Sequence, residues 1–187
     1  MDIKEEFLNI ANRDIHREGI NELISWLQTT DFFTAPASSR YHGAFEGGLA
    51  MHSLNVYRRL RQAVECFGCE GAINESLAIV ALFHDLCKVG CYKVSTRNVK
   101  NDQTGQWEKV PFYKFEEDFP FGGHGSKSVY LVQHFMMLVP EEAAAINSHM
   151  GPWDRQDYGK PGDVYEHNRL AWLLHVADEA ATYIDKT

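Results

Sequence analysis

The sequence predicts an all-α fold: a helical bundle of about six helices with a small β-hairpin insertion at about residues 92–115. Two patterns predict it. Apolar residues recur at helical spacing through most of the chain. One segment instead alternates polar residues with apolar or aromatic ones around a turn. The 187 residues are 44% hydrophobic and 24% charged, the composition of a single globular domain spanning residues 1–187.

The first half of the chain reads as helices joined by one long loop. An opening helical region covers about Ile3–Gln28, with a break near Asp14–Gly19. After the loop, a helix is predicted at about Gly48–Phe67, and His52 lies on its apolar face. The next helix is expected at about Asn74–Lys88.

The second half begins with the hairpin, YKVSTRNVKNDQTGQWEKVPFYKF, whose turn is placed at DQTG. A helix is then predicted from about His124 to Leu138, and Pro140 opens the next one. The last helix is expected to begin at Asp163, with Glu166 three residues on as a capping box.

Charge and hydropathy restrict the partners. The net charge is −8, and no basic stretch suggests a surface for long nucleic acid, so a small phosphorylated ligand is the preferred partner.

No apolar run approaches the ~20 residues that cross a bilayer, and the N-terminal stretch is not typical of a signal peptide. We therefore expect a cytoplasmic protein without a membrane partner. The sequence leaves a homo-oligomer open.

The four cysteines form two close pairs, Cys66 with Cys69 and Cys87 with Cys91. A zinc site is one interpretation of that count. Reduced, partly buried thiols are the favoured one, because free cysteine is commonly buried.

Histidines and aspartates recur on the apolar faces of the predicted helices. One buried histidine is usually a satisfied core residue. A whole set is costly to bury unless its members share a purpose, and a metal ion offsets the cost by using their lone pairs and neutralising their charge. The set is His52, His84, Asp85, His124, His149 and Asp178.

The order of four of these residues resembles the signature of the HD superfamily of metal-dependent phosphohydrolases: His52, then the His84–Asp85 dipeptide, then Asp178. The stretch HDLCK fits the HDxxK variant of that signature. The segment FFTAPASSRYHGAFEGGLAMHSLNVY is similar to the HD domain of YhaM-type bacterial exoribonucleases and their phage relatives. The resemblance covers about Phe32 to Asp185.

The resemblance implies two divalent transition metals per chain, of the group Mn, Fe, Co, Ni or Zn, in a site core at about residues 42–185. The extra histidines in GGHGSKS and NSHMG match the two-metal subgroup. The first metal would be held by His52, His84, Asp85 and Asp178, and the second by Asp85 as a bridge with His124 and His149. Helix neighbours diverge by about 100°, so His84 and Asp85 can serve different sides of one site.

The implied activity is hydrolysis of a phosphomonoester or phosphodiester of a nucleotide or short oligonucleotide, by a hydroxide that the metals make available near neutral pH. Asp85 and Lys88 are the candidate catalytic residues. Lys88 follows His84 by one helical turn and would stabilise negative charge on the phosphate. An exposed lysine at a helix end is the alternative.

The candidate substrate-binding residues are His42, Lys88, Arg97 and Lys127. His42 would line the substrate entrance or stabilise a turn. For Lys127, an ordinary solvated lysine is the stronger interpretation. The hairpin at 92–115 carries cations and aromatic rings that suit a lid over the site, and a structural or subunit-pairing hairpin is an equal alternative.

Three other functions stay open. The first is a 3′-end exonuclease on single-stranded nucleic acid. YhaM-type enzymes carry an additional OB-type nucleic-acid-binding domain, which we do not expect in these 187 residues. The second is a non-catalytic HD module that senses a nucleotide, against which the full ligand set argues. The third is an HD-type di-iron oxygenase with the same ligands.

Overall fold

The computed structural model describes residues 2–69, 73–120, 122–153 and 161–185. Over these ranges it forms a helical bundle with one antiparallel hairpin. The helices are α1 Ile3–Asp14, α2 Ile20–Thr29, α3 Gly48–Phe67, α4 Asn74–Phe83, α5 His124–Gln133, α6 Pro140–Ser148, α7 Pro161–His167 and α8 Arg169–Ala180. The strands are β1 Tyr92–Lys100 and β2 Trp107–Phe115. The all-α prediction with a hairpin insertion is confirmed.

Helix α4 lies at the centre of the bundle. Every residue from Ser76 to Phe83 is buried, because α4 carries apolar side chains on all its faces. It packs against α1, α3 and α6, and α3 packs in turn against α8. The core therefore holds rigidly those helices whose ends carry the candidate ligands.

Two predicted helices end differently in the structure. The helix expected at Asn74–Lys88 stops at Phe83, and the chain tightens into a 3-10 turn at Leu86–Lys88, where the Lys88 amide donates to the Asp85 carbonyl at 3.0 Å. The helix expected from Asp163 is two helices. Asn168 is extended and its side chain accepts a hydrogen bond from the Ala171 amide at 3.3 Å, so it caps α8.

Smaller corrections account for the rest of the difference. The helix that starts at His124 ends at Gln133 rather than Leu138. The break near Asp14–Gly19 separates two helices, α1 and α2. These divisions give eight α-helices in the described ranges, where about six were expected. No helix in that part of the chain is both long and apolar enough to cross a membrane.

The hairpin is confirmed at the predicted bounds. Its register pairs Tyr92 with Phe115 at the base and Lys100 with Trp107 at the tip. Most of its residues are exposed on both faces. It therefore projects from the bundle, with its base directly after Cys91, whose carbonyl accepts a hydrogen bond from the Glu116 amide at 2.7 Å.

Candidate metal centre

The bundle brings the six predicted ligands to one place. His52 lies in the second turn of α3 and Asp178 in the last turn of α8. His84 and Asp85 follow the end of α4, His124 opens α5 and His149 directly follows α6. Most of these positions are helix ends, where side chains from different helices can converge without breaking the apolar contacts between helix bodies.

One cluster joins two histidines and two aspartates. His52 Nε2 lies 3.0 Å from Asp178 Oδ1, 3.7 Å from Asp85 Oδ2 and 3.4 Å from His84 Nε2. His84 Nε2 also lies 3.4 Å from Asp85 Oδ2. All four residues are buried. Such a concentration of nitrogen and carboxylate oxygen suits a transition metal.

The ring orientations of two histidines test whether a cation fits. His84 Nδ1 lies 2.9 Å from the Ala81 carbonyl, and His149 Nδ1 lies 2.7 Å from the Ile146 carbonyl. A carbonyl only accepts, so Nδ1 of each ring donates to it, and Nε2 is the ring nitrogen that remains for a metal. Buried His149 Nε2 has no hydrogen-bond partner among the described residues and faces Asp85 Oδ1 at 3.6 Å. A ring nitrogen without a partner and a carboxylate oxygen that face each other in the interior suit a shared cation.

Asp85 connects the two sides of the cluster. Its Oδ2 faces His52 and His84, and its Oδ1 faces His149. Although burial alone would raise the pKa of Asp85, Lys88 and His84 hold it well below its usual range. The carboxylate is therefore ionised at neutral pH, as a ligand shared between two metals must be.

The second side adds one residue, Cys87, to the implied ligand set. His124 Nδ1 lies 3.3 Å from Cys87 Sγ, and these two residues with Asp85 form a further group that could hold a metal. His149, whose Nε2 faces Asp85 Oδ1 at 3.6 Å, also groups with His84 and Asp178. Burial raises the pKa of the Cys87 thiol, which keeps it protonated at neutral pH unless a metal binds. Cys87 was expected to be a plain buried thiol, and its position beside His84–Asp85 in the sequence was the available signal.

Comparison with protein-family models gives one match. The model of the HD domain matches residues 49–183, which is most of the chain. The chain belongs to the HD domain family. That family indicates a superfamily of metal-dependent hydrolases, some of whose members are not catalytic. No curated protein and no solved structure matches the chain. The similarity to YhaM-type proteins stays a prediction.

The two aspartates of the cluster open onto a cavity of about 730 Å³. Asp85, Lys88, His124 and Asp178 lie in its wall, together with His42. The cavity is large enough for a nucleotide-sized ligand.

Lys88 is held at the cavity wall by an ion pair. Its Nζ lies 2.6 Å from Asp85 Oδ2, and only 9% of the residue is exposed. Burial opposes its charge, but the Asp85 carboxylate together with Tyr92 and Cys87 outweighs burial and raises the pKa of Lys88 above its ordinary value. Lys88 is therefore a buried cation, and the alternative of an exposed lysine at a helix end is wrong.

His42 lies deeper than a residue of an exposed turn. Its ring centroid is 4.8 Å from that of His52, and both ring nitrogens are buried without a hydrogen-bond partner in the described part of the chain. Burial, together with His52 and Lys88, lowers the pKa of His42 to about 4. The neutral ring can offer one donor and one acceptor to a molecule in the cavity.

Two predicted substrate-binding residues are not among those that line this cavity. Arg97 lies on β1 with its guanidinium carbon 5.6 Å from the ring centroid of Phe112. Lys127 is buried, and its Nζ contacts Glu117 Oε1 at 3.1 Å and Cys91 Sγ at 3.3 Å. The solvated interpretation of Lys127 is therefore wrong, and its neutralised charge does not support a role at the phosphate.

The cavity wall also contains residues that the sequence did not single out. Arg40 and Tyr41 come from the loop before α3, where the guanidinium carbon lies 5.1 Å from the tyrosine ring centroid. Tyr92 and Phe115 come from the base of the hairpin. The position of Arg40 two residues before His42 was the only sequence signal for it.

The cysteines are free thiols. Cys66 is exposed and Cys69 half-buried at the end of α3, whereas Cys87 and Cys91 are buried. Among the described residues, no group of candidate metal ligands combines the two pairs. The interpretation as a four-cysteine zinc site has no support in the structure.

Proposed function

We propose that this HD domain is a metal-dependent phosphohydrolase that cleaves a phosphomonoester or phosphodiester of a nucleotide or short oligonucleotide. One observation carries the proposal. The His/Asp cluster and the buried cation of Lys88 open onto the same cavity of about 730 Å³. A cation beside metal ligands fits a negatively charged substrate, and phosphate esters are the anions that such sites cleave.

The residues divide the metal-binding work between the two oxygens of Asp85. His52, His84, Asp85 and Asp178 would hold one metal, and Asp85, His124 and His149 a second, with Cys87 Sγ close enough to contribute. Bound metals would supply a nucleophile at neutral pH and neutralise charge on the attacked phosphate. Burial lowers the pKa of His52 despite its contact with Asp178, which keeps the ring neutral as a ligand must be.

Lys88 would stabilise the negative charge that builds on the phosphate. Because its pKa is raised, it remains an ammonium throughout the pH range of interest and acts as a fixed positive charge rather than as a proton donor. Tyr92 stands near it with its hydroxyl donating to the Ala37 carbonyl at 3.1 Å. Burial raises the pKa of Tyr92 to about 12, so this side chain stays neutral and closes the wall without taking part in proton transfer.

The experiment is a reconstitution assay. The chain is stripped with a chelator, reloaded separately with Mn, Fe, Co, Ni or Zn, and offered bis(p-nitrophenyl) phosphate, mononucleotides, cyclic nucleotides and short oligonucleotides. We expect hydrolysis only with metal, and greater turnover on short substrates than on long structured RNA. Nucleotide binding without turnover under any metal would contradict the proposal and favour the sensing module. Oxygen-dependent product formation from an iron-loaded chain, lost under anaerobic conditions, would favour the oxygenase.

A further inference from the structure

The strand register sorts the hairpin side chains into two faces. Residues directly opposite each other in an antiparallel pair lie on the same face, and that face recurs every second residue. Tyr92 and Phe115 are such a pair, and both line the cavity. Their face, here the cavity-side face, carries Tyr92, Val94, Thr96, Asn98, Lys100, Trp107, Lys109, Pro111, Tyr113 and Phe115.

The cations of the opposite face are already engaged within the hairpin. Lys93 Nζ lies 2.6 Å and Lys114 Nζ 2.7 Å from the carboxylate of Glu116. Arg97 lies over the ring of Phe112. This face therefore satisfies most of its own charge and offers little to a ligand.

The cavity-side face is different. Trp107 is 70% exposed and makes no ring contact with any described residue. Lys100 and Lys109 form no ion pair or hydrogen bond of their side chains within the described ranges. The register places Lys100 directly opposite Trp107, and Tyr113 lies between this pair and the cavity. The result is a row of available rings and cations that begins in the wall of the cavity.

We infer that the cavity-side face of the hairpin binds a single-stranded oligonucleotide whose reacting phosphate lies in the cavity. The inference rests on the proposed function and specifies its substrate class. Aromatic rings stack on bases of any identity, and lysines between them contact the phosphates. From Tyr92 to Lys100 the strand extends ~27 Å, a length that about four to eight nucleotides cover between their extended and stacked forms.

The charge of the whole chain limits the ligand to a short strand. The net charge of −8 disfavours a long polyanion, so affinity is expected to come from the cavity and the cavity-side face together. A mononucleotide would occupy only the cavity and would not reach Trp107 at the hairpin tip. Oligonucleotides should accordingly bind more tightly than mononucleotides, and affinity should rise with length until the cavity-side face is filled.

Fluorescence anisotropy of the metal-loaded chain tests this inference directly, with fluorescein-labelled phosphorothioate oligothymidylates of about two to ten nucleotides as probes. We expect affinity to rise with length and then level off. Trp107→Ala should weaken binding of the longer probes at least about fivefold, because it removes one stacking platform. Trp107→Phe should retain most of the affinity. The double variant Lys100→Ala/Lys109→Ala should lower the slope of log affinity against log salt by about 1.4, the value for two phosphate contacts on a single strand.

The matched control is Lys93→Ala/Lys114→Ala, which removes the same charge from the opposite face. Its affinity and salt slope should equal those of the unaltered chain. Equal weakening by both lysine pairs would reduce the effect to general electrostatics and overturn the inference. Affinity independent of Trp107 would also overturn it. So would a dimer that dissociates in Trp107→Ala with unchanged oligonucleotide affinity, since the face would then pair two copies of the chain.

The two proposals fail in different ways. The binding assay needs no turnover. A chain that binds the probes through Trp107 but hydrolyses nothing would therefore contradict the proposed function and still support oligonucleotide binding by the cavity-side face. Conversely, the chain could hydrolyse bis(p-nitrophenyl) phosphate with metal while no hairpin variant changes its oligonucleotide affinity. That result would overturn only the binding role of the cavity-side face.

Discussion

Asp85 presents its two carboxylate oxygens to different neighbours. Oδ2 meets Lys88, His52 and His84, whereas Oδ1 meets His149. A carboxylate between two sets of nitrogen ligands can serve both, provided that it stays ionised, and the ammonium beside it keeps its pKa low. The contact of Lys88 with a ligand explains why this lysine lies buried and cationic at the cavity wall.

Substitution of Lys88 tests its proposed role as a fixed positive charge. Lys88→Ala should lower kcat by about 100-fold, because a preorganised charge aimed at the transition state is lost. Metal content should not fall, since Lys88 is not a ligand. Lys88→Arg should recover part of the rate. Steady-state kinetics and metal analysis of each variant show whether kcat falls while metal content is kept. Lys93→Ala is the control for loss of an exposed lysine. A Lys88→Ala chain with full kcat would show that the ammonium serves only to stabilise Asp85.

Residue identities at the metal centre could be predicted from the sequence, and their surroundings could not. The order of His52, the His84–Asp85 pair and Asp178 matched a known signature, so the cluster was expected. Lys127 shows the limit. Its neighbours Glu117 and Cys91 come from segments on either side of the hairpin, and only the folded chain shows that they bury and neutralise it.

Helix ends, rather than helix bodies, set the geometry of the candidate site. Apolar periodicity predicted where α3 and α6 run, because their buried faces follow the helical repeat. It failed after Phe83 and at Asn168, where backbone hydrogen bonding changes from one residue to the next while the apolar pattern continues. The hairpin was predictable from alternation, but its cavity-side face needed the register.

Helices α5 and α6 pack closely where Gly125 meets the backbone of Asn147. A Cβ on Gly125 would lie 2.1 Å from the Asn147 carbonyl oxygen, far closer than a non-bonded carbon and oxygen can approach. Gly125→Ala should therefore push α5 away from α6, lower the free energy of unfolding by about 2 kcal/mol and displace the adjacent His124. Thermal unfolding and metal content are the measurements. Gly162→Ala is the control, because its added Cβ would meet no side chain or backbone from elsewhere in the described residues within 4 Å. Equal stability of the two variants would show that α5 and α6 do not pack so closely.

One buried charge network ties distant parts of the molecule together. Arg17 precedes α2 and pairs with Glu142 on α6 and Glu75 on α4. Glu142 is fully buried and also accepts from Ser76 Oγ at 2.7 Å and from the Val139 amide at 3.0 Å. The network holds the start of α2 against the helices that carry the candidate ligands.

Removal of Arg17 should destabilise the whole molecule. Arg17→Ala leaves the Glu142 carboxylate buried without its cation and should cost about 3 kcal/mol of unfolding free energy. Arg13→Ala, which breaks an ion pair whose arginine side chain is 64% exposed, should cost less than about 1 kcal/mol. Chemical denaturation of the two variants checks the difference. Similar losses would mean that the Glu142 network contributes no more than a surface pair.

The same network predicts how stability depends on pH. Burial alone would raise the pKa of Glu75, but the His16 amide and Arg17 outweigh it and lower the pKa below the unfolded value of 4.5. A lowered carboxyl pKa contributes stability that is fully present above the unfolded pKa and is lost as pH falls through the folded pKa. The melting temperature should therefore drop below about pH 4.5, and Glu75→Gln should drop less steeply. Parallel curves for the two proteins would contradict this.

Metal content per chain tests whether Asp85 is the shared ligand of a two-metal centre. Protein purified without chelator should hold close to two transition metals per chain by elemental analysis, Asp178→Ala about one, and Asp85→Ala almost none, because Asp85 presents one oxygen to each ligand set. Asp102→Asn, an exposed aspartate at the hairpin turn, should keep the full content. A folded Asp85→Ala chain with undiminished metal would contradict a metal centre built on this carboxylate.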